Sequence, residues 1–108
     1  MSLPVRKAPQ ALADLAAAAD YLAREASAHT AERFLSAAES SIVDLARMPG
    51  IGALWESPLT SVQGVRTWPI KKFRKWIVFY REFDGNLEIL RVLHGARNLY
   101  AEDITTID

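Results

Sequence analysis

The 108-residue sequence predicts an α+β fold in the order β-α-α-β-β-β, a two-helix hairpin packed on one face of a small twisted antiparallel sheet. Two observations carry that prediction. Between Pro9 and Arg47 apolar residues recur every three or four positions, interrupted only near Ser27. From Trp76 to Leu93 the chain instead carries two β-branched and aromatic runs on either side of Asp84-Gly85, the dipeptide best suited to a type I′ turn.

That hairpin fixes a register. A two-residue turn at Asp84-Gly85 pairs Phe83 with Asn86 and Arg81 with Glu88, a favourable cross-strand ion pair. Carried onward without interruption, the same register places Ile77, Phe79, Leu90 and Val92 on one face. Trp76, Val78, Tyr80, Ile89 and Leu93 fall on the other. Both faces are apolar, so neither is expected to meet water freely.

The other elements follow in order. Leu3-Pro4-Val5-Arg6-Lys7 reads as a short first strand that can join the sheet at an edge, with Pro4 tolerable only near a strand end. Pro9 suits the first turn of a helix. Leu12, Leu15, Ala19, Leu22 and Ala26 form its apolar stripe, with Asp14 and Arg24 away from that stripe. Ser27 is an N-cap for a second helix whose stripe is Ala31, Phe34, Leu35, Ala38, Ile42 and Leu45, ended by Pro49-Gly50. Ile51 to Gln63 lacks a sustained period and reads as a loop, with Trp55 as a plug over the edge of the core. Val65 to Ile70 is a strand that Pro69 confines to an edge. Lys71 to Lys75 is a basic connector, and Ala96 to Asp108 a tail with a helical turn near Tyr100.

Composition narrows the function. Residues 1–108 are expected to form one domain. Charges balance to zero with a pI near 6.7, so no global field draws the chain to nucleic acid or an anionic membrane. Without cysteine there is no disulfide framework, thiolate nucleophile or cysteine-based metal site. No signal-peptide pattern and no bilayer-length apolar run occurs, and a cytoplasmic location is expected.

No Ser-His-Asp spacing, HExxH motif or glycine-rich phosphate loop is present. His29 sits among polar helix neighbours and reads as a surface residue. His94, at the end of the last strand near Arg97, is the better functional candidate. Basic residues cluster in the second half: Arg66, Lys71, Lys72, Arg74, Lys75, Arg81, Arg91 and Arg97. Arg91 interrupts an apolar strand, where a buried guanidinium must be paired or mark a site. With two helices covering one sheet face, little chain is left for the other, and an exposed apolar face marks a partner site.

Ala31 to Leu35 (AERFL), the P-G-I-G loop, GVRTWPI and FYREFDGNLEILRVLHGARN together resemble the ParE/RelE toxin superfamily, and within it the ParE branch. The resemblance spans about Val5 to Asn98 and is most specific over Ile89 to Asn98. It implies a toxin of a type II toxin–antitoxin module, also described as a plasmid stabilisation protein. It brings a ParD-like antitoxin partner in a hetero-oligomer, a toxin dimer as a further assembly, no cofactor and no metal.

In the ParE branch the implied target is DNA gyrase, inhibited by binding. In the RelE branch it is ribosome-bound mRNA, cleaved by dispersed basic groups. RelE-type ribonucleases carry an arginine three residues before the tyrosine of the central strand. Ile77 stands there in this chain, and an apolar side chain cannot stabilise charge on a transferring phosphate. The ParE reading follows, with Arg66, Lys71, Lys72, Arg74, Arg91 and Arg97 as candidate target contacts. Trp76, Ile77, Phe79, Leu90 and Val92 are the candidate antitoxin contacts. The alternatives are an endoribonuclease using His94 and Arg97, which alone would bind nucleic acid directly, and an inactive homologue that only binds antitoxin.

Overall fold

The computed structural model describes residues 1–56 and 62–95. Pro58, the tail from Ala96 to Asp108, its expected turn at Tyr100, and Arg97 lie outside them. A short strand β1 (Val5–Lys7) leads into helices α1 (Pro9–Glu25) and α2 (Ala28–Arg47). A single 3₁₀ turn (Pro49–Ile51) follows, then strands β2 (Ala53–Leu54), β3 (Arg66–Ile70), β4 (Phe73–Phe83) and β5 (Asn86–His94). The sheet order is β1-β5-β4-β3-β2, with β1 parallel to β5 and every other pairing antiparallel.

Local chemistry sets the helix ends as the sequence predicts. Pro9 opens α1, and the Thr30 backbone N–H donates to Ser27 Oγ at 3.0 Å to cap α2. The stripes rotate slightly from their expected positions. α1 buries Ala11, Leu15 and Ala18, whereas Leu12 is 53% exposed. On α2 Phe34, Ala38, Ile42 and Leu45 are buried as expected, but Leu35 faces out. Small residues win the contact positions because the two antiparallel helices approach each other and the sheet closely.

Hairpin β4–β5 turns at Asp84-Gly85, both at positive φ, and pairs Phe83 with Asn86, Arg81 with Glu88 and Tyr80 with Ile89. The Arg81 Nε–H donates to Glu88 Oε1 at 2.7 Å. Beyond that the register slips. Phe79 stands opposite Arg91, leaving Leu90 as the extra residue of a β-bulge. One inserted residue inverts every later side chain on β5. Val92 therefore packs with Trp76, Val78, Tyr80, Ile89 and the helices, and Leu93 joins Val65, Ile77, Phe79 and Leu90 on the far face. This exchanges Val92 and Leu93 relative to the expected faces.

Two further expectations are corrected. The basic connector is a tight turn: Ile70 pairs with Phe73 around Lys71-Lys72, so Phe73 to Lys75 already belong to β4. Lys72 adopts φ 66°, sparsely populated for a residue with a Cβ. α2 holds the turn in place, because the Lys71 N–H donates to Ser41 Oγ at 3.0 Å and Lys71 Nζ lies 2.7 Å from Asp44. The far sheet face is also not bare. Val65, Phe79, Leu90 and Leu93 are 9% exposed or less, and Trp55 closes over Phe79 edge-on at 5.2 Å between ring centroids. Trp55 is thus the plug expected, and with Val62 and Ile77 it builds a second small core.

The turn generates a stability prediction. Gly85 sits at φ +78° with open space around it, so a side chain there meets strain rather than a clash. Gly85→Val is expected to destabilise the fold by about 1 kcal/mol or more, lowering Tm by roughly 4 °C or more. An unchanged thermal melt would contradict this turn geometry.

Candidate functional site

Of the described cationic residues singled out from the sequence, Lys71 and Arg81 are ion-paired with Asp44 and Glu88, and the other five separate into three groups. Arg91 is 4% exposed and fully engaged. Its Nε–H donates to Asp14 Oδ2 at 2.7 Å and its Nη2 to Oδ1 at 3.0 Å, a bidentate pair across 77 positions of sequence. The Val92 backbone N–H donates to the same Oδ2 at 2.9 Å. Asp14, expected away from the apolar stripe, is instead the anchor of α1 on the sheet.

Arg66 is tied to the loop after α2, its Nη1 donating to the Gly52 carbonyl at 2.8 Å. The same loop is latched by Tyr80. The buried Tyr80 hydroxyl donates to the Pro49 carbonyl at 2.7 Å and accepts from the Gly52 N–H at 2.9 Å. Gly52 is required by this approach, since a Cβ there would lie 2.5 Å from Tyr80 Oη and 2.7 Å from the Thr67 carbonyl. Burial pushes the Tyr80 phenol above its ordinary 10.0, opposed by the Gly52 N–H and the Arg66 charge.

Lys72, Arg74 and Lys75 form the third group. They are exposed around the β3–β4 turn, and none makes an ion pair among the described residues. Beside them, across the β4–β5 ladder, Trp76 pairs with His94, the rings meeting edge-on at 4.9 Å. Tyr21 from α1 and Phe34 from α2 approach the same indole at 6.3 and 5.4 Å. Tyr21 and Leu22 were not expected here. The signal was faint: Leu22 stands near the C-terminal end of the α1 stripe, and Tyr21 is its neighbour outside that stripe.

The five proposed antitoxin contacts do not share a surface. Trp76 and Val92 lie on the helix-covered face, Phe79 and Leu90 are buried on the other face, and Ile77 is half-buried beside them. Ile77 is also on the face opposite Tyr80, whose hydroxyl already has both its partners. The described residues hold no cluster of three or more histidine or acidic side chains arranged for a metal, and no helix among them is long and apolar enough to cross a membrane.

A family model described as the ParE toxin of type II toxin–antitoxin system, parDE, matches residues 5–99. The chain belongs to the ParE toxin family. The fold agrees with a solved structure titled the chromosomal ParDE toxin–antitoxin system from P. aeruginosa, at a TM-score of 0.71 and 22% identity. That alignment covers 86% of this chain and 96% of the other. No curated protein matches in sequence. Two helices on a five-stranded sheet are the fold this chain shares with that structure.

Two predictions follow from these contacts. Asp14→Ala removes the carboxylate that pairs with the buried Arg91 guanidinium and accepts from the Val92 N–H, and is expected to cost about 3–5 kcal/mol in urea unfolding. A loss below about 1 kcal/mol would show that water reaches Arg91 and that the pair is not the anchor described. The second concerns alkali. Because the folded pKa of Tyr80 is raised, the folded state holds that proton more tightly than the unfolded chain does. The resulting stabilisation is present below about pH 10 and is lost as pH rises through the folded pKa. Tyr80→Phe is expected to be less stable at neutral pH but to lose less further stability between about pH 9 and pH 11. Parallel losses in the two proteins would contradict it.

Proposed function

We propose that this ParE-family chain is the toxin of a type II module that acts in the cytoplasm by binding and inhibiting DNA gyrase, and that a cognate ParD-like antitoxin neutralises it. The observation that carries the choice of binding over catalysis is the state of Tyr80 and its surroundings. In a phosphoryl-cleaving site a polar cluster must present donors and a base to a reacting phosphate. Here the Tyr80 hydroxyl is buried and doubly hydrogen-bonded, Ile77 stands at the position of the RelE-type arginine, and Arg66 and Arg91 are held by Gly52 and Asp14. None of these groups is free to perform transesterification. The ParDE pairing named for the similar solved structure supports an antitoxin partner for this chain.

Lys72 and Arg74 are the proposed target contacts that remain at the surface, with Lys71 held by Asp44 beside them. Arg97, which lies outside the described residues, is kept in the same set. Purified protein is expected to inhibit gyrase-catalysed supercoiling or to accumulate cleaved DNA, and to leave mRNA intact in a translating extract. Site-specific mRNA cleavage without an effect on gyrase would instead select the endoribonuclease reading built on His94 and Arg97.

A further inference from the structure

Between the end of α1 and the start of β4 lies an open cleft of about 510 Å³. Tyr21, Leu22, Phe73, Trp76 and His94 form its walls, so its interior is mostly apolar. Lys72, Arg74 and Lys75 stand around its mouth. A second cleft of about 490 Å³ adjoins it, sharing Lys72 and Phe73 and running along α2 past Arg33 and Ser36. Among the described residues Glu32 is the one carboxylate lining either cleft.

We propose that these two adjacent clefts dock an acidic, extended segment of a partner protein, with one large apolar side chain inserted against Trp76. Three observations select that occupant. Lys72, Arg74 and Lys75 have no internal counter-charge among the described residues, so an anionic partner meets cations that need not first leave another pair. Two adjacent clefts that share Lys72 and Phe73 suit a chain rather than a compact ligand. The aromatic groups are not open stacking platforms: Trp76 already meets Tyr21, Phe34 and His94, and Phe73 meets Phe34 edge-on at 5.3 Å. Single-stranded nucleic acid needs free ring faces for its bases, whereas an apolar side chain needs only a walled pocket. Leu-, Phe- or Met-sized anchors fit such a pocket.

The proposal rests on reading the chain as a toxin that works by protein binding, and the two can fail separately. The test titrates the nitrogen-15-labelled full chain with the acidic peptide Glu-Asp-Glu-Leu-Phe-Glu-Asp-Glu. One control peptide has lysine in place of every acidic residue, another has serine in place of Leu-Phe, and a third probe is oligothymidylate. The chain has three tryptophans, and their indole N–H signals report separately once Trp76→Phe has identified its own. The acidic peptide is expected to move the Trp76 indole signal and leave those of Trp55 and Trp68 in place. Affinity is expected to fall on the order of tenfold in the Arg74→Glu/Lys75→Glu variant and to weaken as salt is raised. Arg74→Gln/Lys75→Gln gives the same comparison should charge reversal disturb the fold. A Trp76 signal unmoved at millimolar peptide overturns the proposal, as does binding indifferent to the cation variants. A stronger response to oligothymidylate, or a shift produced by protein concentration alone, reassigns the groove to nucleic acid or to a second copy and equally overturns it. Gyrase inhibition that persists when the peptide fails leaves the toxin reading standing and removes only the groove.

Discussion

The carboxylate of Asp14 solves a problem that the topology creates. β1 pairs with β5 only from Leu87 to Ile89 before the chain turns away into α1. β5 continues to His94, and past Ile89 its outer edge has no strand beside it among the described residues. An unpaired N–H buried there would cost about 1–3 kcal/mol. Asp14 accepts from the Val92 N–H and at the same time holds the Arg91 guanidinium in a bidentate pair. One side chain therefore satisfies the sheet edge, neutralises a buried cation and fixes α1 against β5. The bulge belongs to the same arrangement: it lies at Leu90, immediately before the two residues Asp14 binds, and sets which of the later β5 side chains enter the main core. A buried ion pair is weak evidence for net stability in itself. Here the alternative is an open edge, and specificity of register is what the pair supplies.

Much of this was legible in the sequence wherever short-range chemistry decides. Asp84-Gly85 can be read because only a few residue pairs accept two positive φ angles in succession. Ser27 and Pro9 can be read because helix termini have unsatisfied N–H groups whatever the rest of the fold does. The bulge could not be read in the same way. A turn fixes register for the few pairs next to it, and a slip at Leu90 changes nothing local that composition would register. The side chain that binds the two residues after it, Asp14, lies 77 positions away from Arg91. The Lys71-Lys72 turn was missed for a related reason. Two lysines are poor turn formers, and this pair turns because Ser41 and Asp44 of α2 hold Lys71.

The candidate site was legible as a list of residue types but not as a place. Arg66, Arg91 and the exposed turn cations look alike along the chain. They differ only in what the fold brings beside them: loop carbonyls for Arg66, a carboxylate for Arg91, and no ion-pair partner among the described residues for Lys72, Arg74 and Lys75. Charge summed over the whole sequence is zero and conceals this. Screening confines an exposed charge to about 8 Å at physiological salt, so a partner responds to the local cluster rather than to the net value.

That partition bears on how a small toxin can act. A catalytic site keeps its polar groups preorganised around an empty place for the reacting atoms. In this chain the preorganised polar groups are those of Asp14, Arg91, Tyr80, Gly52 and Arg66, and each is already complemented by another part of the fold. Their geometry supports the sheet edge and the loop after α2. Among the described residues the groups left over are exposed cations at a turn, next to an open apolar cleft. Flexible cations beside an apolar anchor site are poor at stabilising one transition state and well suited to recognising an anionic, partly apolar surface, where steering and burial act additively. Among the described residues, the division between what the fold uses and what it leaves at the surface supports the reading proposed above, of action by attachment.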